Sequence, residues 1–410
     1  MKPMHLSEKA EKYLQRLCLE IPNRCVGSKG NRAATEIFAE GVASFGFKTE
    51  CPEFDCVDWT NQGARLTVNH EPFYVFVSPY SPGCHLRAPL AVVSSVEELE
   101  TVEAANKIIL ARGNIAKEQL MPKNFPFYNP DEHKRIIRLL ETKAPLAIIA
   151  ATSRNPELAG GLYPFPLIED GDFDIPSVYM TEEEGNKLIK HVGKEISLDI
   201  LSKRRPAKGC NVIAQKRVNS SQRVVVCAHI DTHNSKDGTP GALDNATGVV
   251  VLLLLAELLE NYNGHLGIEI VALNGEEYYS SPGEVQYLKS NQGRFNEILL
   301  TINLDMVGYY QGNTAYSLYD CPDDIVKSIR TAFSTQKDID EGEPWYQGDH
   351  MIFTQKQVPA LAITSSQFMD LLTNIAHTAQ DKPELVDCSK LVLVALALRG
   401  LLLDLEKLLS

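Results

Sequence analysis

The chain has 410 residues, of which 44% are hydrophobic and 23% are charged, as in ordinary globular proteins. Its formal net charge is −13 and its longest basic run is the triplet at 203–205, so we expect no nucleic-acid partner. The longest apolar run, residues 249–259, contains a glutamate and is too short to cross a bilayer, so we expect no membrane association.

The N-terminal segment and the cysteines bear on the cellular compartment. Residues 1–24 are polar and amphipathic and lack the apolar core of a signal peptide. The nine cysteines include no Cys-x-x-Cys motif, and their odd number and irregular spacing favour reduced thiols. We therefore expect a cytoplasmic protein.

The first half of the chain changes character near residue 60. Before that point, apolar spacing predicts helices at 7–20 and 31–45 and a strand at 47–54. Beyond it the chain is rich in proline, has one charged helical segment near 132–141 and contains no cluster of metal-type ligands. We predict that residues 59–205 form an inserted β-rich domain, and that 1–58 and 206–410 form the main domain. The strand-like runs of the insert are 66–68, 73–77, 90–93, 107–110 and 146–150.

After residue 206 apolar strands alternate with helical segments. This pattern predicts an α/β fold, in which a mainly parallel central sheet carries helices on both faces. Ligand sites in such sheets lie beyond the carboxyl ends of the strands. The predicted strands are 211–216, 223–230, 266–273, 298–304 and 360–364, and the predicted helices are 245–261, 283–292, 322–335 and 389–408.

One predicted strand, 223–230, ends in a His-x-Asp motif formed by His229 and Asp231. A histidine at a strand tip can ligate a metal, and a carboxylate two residues later lies on the same strand face. Asp231 could therefore orient the ring of His229. The motif alone is a weak signal, because it occurs by chance in many proteins.

Five further candidates follow other apolar runs or lie in turns: Asp244, Glu276, Glu277, Asp305 and His377. Histidine and carboxylate are zinc ligands, and two zinc ions can share one carboxylate while leaving a position open for water. A carboxylate that binds no metal can take the proton of that water, so the Glu276–Glu277 pair could provide one base and one ligand.

Each of these residues has an ordinary explanation when it is considered alone. A single acidic residue at a strand end is usually an exposed loop residue or a helix cap. Taken alone, His377, His233 and His350 would each be expected to be surface histidines. The occurrence of all the candidates at strand ends or turns of one α/β region nevertheless favours a two-metal centre over coincidence.

Six short motifs occur in a fixed order along the chain: His229-x-Asp231, the segment 243–249 (Leu-Asp-Asn-Ala-Thr-Gly-Val), Asn-Gly-Glu276-Glu277, the segment 303–308 (Asn-Leu-Asp-Met-Val-Gly), Gly-Asp349-His350 and His377-Thr378. This order resembles the co-catalytic zinc aminopeptidases. That family includes bacterial leucyl-type aminopeptidases and, more distantly, glutamate carboxypeptidase and glutaminyl cyclase. The resemblance is strong over residues 209–410 and loose over 1–58. Within the insert, residues 174–185 resemble the final strand and helix of a protease-associated domain.

The resemblance implies two divalent ions per chain, which we expect to be zinc. One ion would be bound by His229, Asp305 and one oxygen of Asp244. The other would be bound by Glu277, His377 and the second oxygen of Asp244.

The resemblance also implies roles for residues that bind no metal. Asp231 would orient His229, and Glu276 would be the general base. A cis peptide bond is expected after Asp244. Around the substrate pocket, Asp349 and His350 would support the site, and Tyr346 is a candidate donor to the tetrahedral intermediate.

The implied reaction is release of the N-terminal residue of a peptide substrate. A carboxypeptidase of the same family would need a cationic clamp for the α-carboxylate, commonly arginine. Only four arginines follow residue 220 and none adjoins a ligand motif, although a Lys or Arg of the insert could reach the site. A glutaminyl cyclase usually retains a single metal, and a non-catalytic, receptor-like relative would lack ligands or the base. The insert could also join a second copy in a homo-oligomer.

Overall fold

The computed structural model describes residues 3–21, 23–154, 161–235 and 238–408, and the strands of these residues form two eight-stranded sheets. The first sheet has the strand order β1-β10-β12-β11-β13-β16-β14-β15. Its strands are β1 (Lys48–Glu50), β10 (Val212–Lys216), β11 (Arg223–His229), β12 (Gly267–Leu273), β13 (Ile298–Leu304), β14 (Thr314–Tyr319), β15 (Ile339–Glu341) and β16 (Ala360–Ser365).

The centre of this first sheet is parallel and its flanks are mixed. Strands β12, β11, β13 and β16 pair in parallel, whereas β1–β10, β10–β12 and β14–β16 are antiparallel pairs. The predicted α/β fold with a mainly parallel central sheet is confirmed. Strands β14 and β15 were not predicted from the sequence. Strand β14 (Thr-Ala-Tyr-Ser-Leu-Tyr) lacks the unbroken apolar run of the central strands, and β15 has only three residues.

Burial of both sheet faces explains why the central strands are continuously apolar. All seven residues of β11 are buried. Val224 and Val226 pack into the core on one face, and Val225 and Cys227 pack into the core on the other, as the two-residue period of a strand requires.

Helices cover both faces of the first sheet. Helix α6 is buried along nearly its whole length, between the sheet and the helices α1, α2 and α11. The opposite face is covered by α7 and α9. The helices are α1 (Pro3–Gln15), α2 (Lys29–Ser44), α3 (Val96–Thr101), α4 (Asp131–Lys143), α5 (Glu182–Leu188), α6 (Thr247–Leu258), α7 (Pro282–Ser290), α8 (Asp323–Ser334), α9 (His350–Thr354), α10 (Phe368–Asn374) and α11 (Cys388–Leu408).

The second sheet is built from the middle of the chain, in the order β3-β2-β9-β5-β6-β7-β8-β4. Its long strands β2 and β9 pair antiparallel as the chain leaves and re-enters the first sheet. The predicted boundaries of the insert, 58/59 and 205/206, fall inside these two strands, and the division into domains stays a prediction. The strands are β2 (Glu53–Val68), β3 (Glu71–Phe73), β4 (Phe76–Val77), β5 (Cys84–Val93), β6 (Ile108–Ala111), β7 (Ala147–Thr152), β8 (Ser177–Thr181) and β9 (Glu195–Cys210).

The second sheet contains parallel as well as antiparallel pairs. Strands β5, β6, β7 and β8 pair in parallel. The segment that resembles a protease-associated domain corresponds to β8 and α5. Across the described part of the chain, no helix is both long enough and apolar enough to span a membrane.

Candidate metal centre and substrate cleft

Three parallel strands bring four of the candidate residues to one edge of the first sheet. His229 is the last residue of β11 and lies opposite Leu273, the last residue of β12. Glu276 and Glu277 follow β12 after a two-residue turn, and Asp305 directly follows β13. Because neighbouring parallel strands end at the same edge, side chains distant in sequence converge there.

Asp244 lies between two histidines, with one carboxylate oxygen facing each. Its Oδ1 is 3.2 Å from Nε2 of His229, and its Oδ2 is 3.5 Å from Nε2 of His377. Asp305 Oδ1 lies 3.7 Å from the same nitrogen of His229, and Glu277 Oε1 lies 2.8 Å from His377 Nε2. The ligand atoms therefore form two groups that share Asp244, namely His229–Asp244–Asp305 and Asp244–Glu277–His377.

The turn that carries Asp244 is held by hydrogen bonds to its backbone. The bond between Asp244 and Asn245 is cis, as the resemblance led us to expect. The buried carboxylate of Asp381 accepts hydrogen bonds from the backbone N–H of Leu243 at 2.7 Å and of Asp244 at 3.0 Å. The amide of Asn245 donates to the carbonyl of Leu304 at 2.8 Å, so the turn is tied to β13.

Arg24 donates hydrogen bonds to the residues just before the same turn. The residue is 1% exposed, and its guanidinium donates to the carbonyls of Ile230, Pro240 and Gly241, as well as to that of Leu17. These contacts connect the N-terminal segment to the end of β11 and to the turn before Asp244. Because its donors are used by backbone carbonyls, Arg24 acts as a structural residue here.

Asp231 makes contacts that the sequence analysis did not foresee. Its Oδ1 lies 3.8 Å from Nδ1 of His229, which is beyond hydrogen-bond distance. Its carboxylate instead accepts hydrogen bonds from the backbone N–H of Gly275 at 2.8 Å and of Glu277 at 3.1 Å. The contacts of Asp231 therefore fix the turn that presents Glu276 and Glu277.

The two ligand groups fit divalent cations. Their donors are imidazole nitrogens and carboxylate oxygens, which zinc accepts. Asp305 Oδ1 is buried and has no hydrogen-bond partner among the described residues, a costly arrangement that a bound cation would relieve. The carboxylates of Asp305 and Glu277 also lie within 4.8 Å of the Asp244 carboxylate, so bound positive charge would offset their repulsion.

Glu276 lies beside the ligand groups without belonging to either. Burial, together with Glu277 and Asp349, raises its pKa well above the ordinary value of a glutamate. Burial likewise raises the pKa of Asp349 to about 7. Burial, together with Asp349 and Glu276, also raises the pKa of Glu284 well above the ordinary value of a glutamate.

His350 and Tyr346 lie away from the ligand atoms. His350 is fully buried, its Nε2 lies 3.0 Å from the carbonyl oxygen of Trp345, and burial lowers its pKa to about 4. The expectation of a surface histidine was therefore wrong for His350. Tyr346 is 68% exposed and packs against Tyr319, and it does not line the cavity described next.

A cavity of about 250 Å³ opens beside Glu276, Glu277 and His377. One wall comes from the first sheet, and the other comes from the two connections that precede α4 and β8 in the middle of the chain. The residues of this second wall, hereafter the insert wall, are Gln119, Leu120, Met121, Pro122, Phe125 and Glu169.

His233 connects the two walls of this cavity. Its ring stacks on that of His377, with centroids 4.3 Å apart and planes 10° apart, and its Nε2 lies 3.1 Å from Oε2 of Glu169. His233 is 7% exposed, so the prediction of a surface histidine was wrong here as well. The chain between β11 and α6 folds back toward the insert wall, which a sequence pattern does not reveal.

No role was predicted from the sequence for Asp381, Arg24 or Glu169. Asp381 follows His377 by four residues, and its position in the same polar turn was the available signal. Arg24 and Glu169 lie in irregular segments far from the ligand motifs in sequence. Only the folded chain brings them to the site.

Comparisons with known proteins agree with this geometry. The model of peptidase family M28 matches residues 211–401. Leucine aminopeptidase 2 of Trichophyton rubrum is 25% identical over 363 residues, which are 82% of this chain and 68% of that protein. An uncharacterised Escherichia coli protein, YfbL, is 26% identical over 196 residues, which are 38% of this chain and 60% of that protein, less than two thirds of its length.

Among solved structures, BSAP, a zinc aminopeptidase from Bacillus subtilis, superposes with a TM-score of 0.73 at 19% identity. The superposition covers 97% of this chain and 94% of that one, so the two share a fold over nearly their whole lengths. The residues matched by the family model include every predicted metal ligand and Glu276. Residues 211–401 of this chain thus match the model of peptidase family M28, and the chain resembles zinc aminopeptidases in fold.

Proposed function

We propose that this protein is a metal-dependent aminopeptidase that binds two divalent ions, zinc being the expected metal, and releases N-terminal residues from peptides. The observation that carries the proposal is Asp244, whose two oxygens face His229 and His377 and so join two ligand groups. A carboxylate shared in this way is the arrangement expected of a two-metal site. The names of the M28 relatives and structural neighbours support an aminopeptidase.

Bound ions would act as Lewis acids toward the substrate carbonyl and would lower the pKa of water. Glu276 would then take the proton of the attacking water and return it to the leaving amine. Its position at the cavity, outside both ligand groups, supports this role. Asp231 would keep Glu276 in place through its bonds to the adjoining turn.

The cavity favours an aminopeptidase over a carboxypeptidase. A carboxypeptidase must neutralise the α-carboxylate of its substrate, usually with arginine. No Lys or Arg is found among the described residues that line the cavity, whereas Glu169, Glu276 and Glu277 are. Arg24, the buried arginine near the site, is already bonded to backbone carbonyls. A non-catalytic relative is disfavoured, because both ligand groups and the candidate base are present.

The test compares Glu276→Gln with the wild-type protein. Metal analysis should find two divalent ions per chain in both, and the wild type should cleave aminoacyl anilides until a chelator is added. The rate of Glu276→Gln should fall by about 10²–10⁴-fold, the usual contribution of general acid–base catalysis. Glu260→Gln, an exposed carboxylate of the same type, should retain the wild-type rate.

Two results would contradict the proposal. A near wild-type rate for Glu276→Gln would show that Glu276 is not the general base. Cleavage of peptides with blocked N-termini and free C-termini, without cleavage of aminoacyl anilides, would replace the aminopeptidase with a carboxypeptidase.

A further inference from the structure

Glu169 is the one acidic residue that the insert wall brings to the cavity. Its side chain is buried, with the whole residue 5% exposed. One oxygen, Oε2, accepts a hydrogen bond from Nε2 of Gln119 at 3.1 Å and lies 3.1 Å from Nε2 of His233. The other oxygen, Oε1, is buried and has no hydrogen-bond partner among the residues that the structure describes. Buried carboxylate oxygens normally accept hydrogen bonds, so we expect a hydrogen-bond donor from outside the described residues to bind Oε1.

The chain holds this carboxylate in a fixed place. The neighbouring Asp170 accepts backbone hydrogen bonds from Lys123 and from Asp172, both at 2.8 Å. Gly171 packs directly against the ring of Tyr279, where a Cβ atom would lie 2.5 Å from the nearest ring atom. Glu169 therefore sits on a segment anchored to both walls of the cavity.

The surroundings favour a cationic donor. Glu169 belongs to neither ligand group, so ions bound there would not be coordinated by its carboxylate. Its neighbours on the insert wall include the apolar side chains of Leu120, Met121 and Phe125, which limit solvent screening. The described cavity lining supplies no Lys or Arg to pair with it.

We infer that Glu169 binds an ammonium group of the substrate, while the apolar side chains at 120–125 pack on the aliphatic part of the substrate's first residue. The inference rests on the proposed function, which provides a substrate with a free N-terminus. The ring of His233 lies between Glu169 and His377, because it contacts the carboxylate of Glu169 and stacks on the ring of His377. The ammonium is either the α-ammonium of the first residue or the side-chain ammonium of a lysine at that position.

Two amino alcohols, which have no bond that a peptidase can hydrolyse, separate these sources. Norleucinol carries only the α-ammonium, whereas lysinol has a similar aliphatic chain that ends in a second ammonium. Binding of both would be measured by calorimetry on the metal-loaded wild type and on Glu169→Gln, which keeps the size of the side chain but removes its charge. The matched control is Asp174→Asn, which removes an exposed charge five residues away. Because a hydrogen bond to a charged group is lost, we expect binding to weaken by about tenfold or more in Glu169→Gln.

The pattern of loss identifies the source. Equal weakening for both amino alcohols means that Glu169 binds the α-ammonium, and weakening for lysinol alone means that it binds the side chain. Unchanged affinities in Glu169→Gln, or no binding of either amino alcohol to the wild type, would overturn the inference.

Turnover of norleucine and lysine anilides separates binding from indirect effects. KM should follow the binding losses while kcat stays within about twofold. A fall in kcat with KM unchanged would mean that Glu169 acts only through His233, and the inference would be wrong. A wild type that binds the amino alcohols but cleaves no anilide would refute the proposed function without refuting the ammonium site.

Discussion

Asp381 should control both metal sites at once, because it holds the turn that presents the shared ligand Asp244. Its two carboxylate oxygens accept the backbone N–H groups of Leu243 and Asp244, and the side chain is fully buried. In Asp381→Asn, the amide oxygen can still accept one N–H, but the NH₂ group faces the other. One hydrogen bond to a charged group is lost, and two donors are brought together.

The magnitude follows from the lost bond. Hydrogen bonds to charged groups contribute about 1.5–3 kcal/mol, which corresponds to about 10- to 150-fold in a binding constant. If the turn shifts to separate the two donors, Asp244 moves with it. Both ions should then bind at least about tenfold more weakly in Asp381→Asn. In contrast, His229→Ala and His377→Ala should each weaken mainly one ion.

Competition titration with a chelator would measure the two dissociation constants, and elemental analysis would give the stoichiometry. Asp370→Asn is the matched control, because Asp370 is exposed and lies on α10, close to the same turn in sequence. Two unchanged dissociation constants in Asp381→Asn would refute the argument that Asp381 positions Asp244. A loss confined to one ion would also refute it.

Three further predictions concern residues outside the ligand groups. Arg24→Met leaves four backbone carbonyls without their donor, so the free energy of unfolding in urea should fall by about 3 kcal/mol or more, and a loss below about 1 kcal/mol would contradict this. Gly171→Ala places a Cβ atom against the ring of Tyr279, so KM for aminoacyl anilides should rise several-fold at unchanged metal content. His350 stays neutral in the fold down to about pH 4, whereas in the unfolded chain it takes up a proton near pH 6.5. Stability should therefore decrease as the pH falls from 6.5 to 4, by up to about 3 kcal/mol from this residue, and urea titrations of His350→Gln should show a shallower decrease.

The α/β pattern after residue 206 was readable because the central strands are buried on both faces. Such strands must be apolar throughout, and β11 and β12 stand out in the sequence for that reason. Strand β14 was missed, because threonine and serine interrupt its apolar residues. Strands β2 and β9 were cut by the predicted boundaries, because each has an exposed, polar middle section between more buried ends, so composition changes within the strand.

The sequence by itself determined which residues are available as metal ligands and their order along the chain. It could do so because each ligand lies near the end of a recognisable apolar strand or in a motif, and parallel strands end at one edge of a sheet. Only the tertiary structure decided that Asp244 faces both histidines, that Asp231 bonds the turn before Glu277 rather than the ring of His229, and that His233 is buried. Only the tertiary structure also brought Glu169 to the cavity. Apart from the contact between Asp244 and His229, these contacts join segments more than 40 residues apart through irregular loops, and no local pattern of residues encodes where such loops meet.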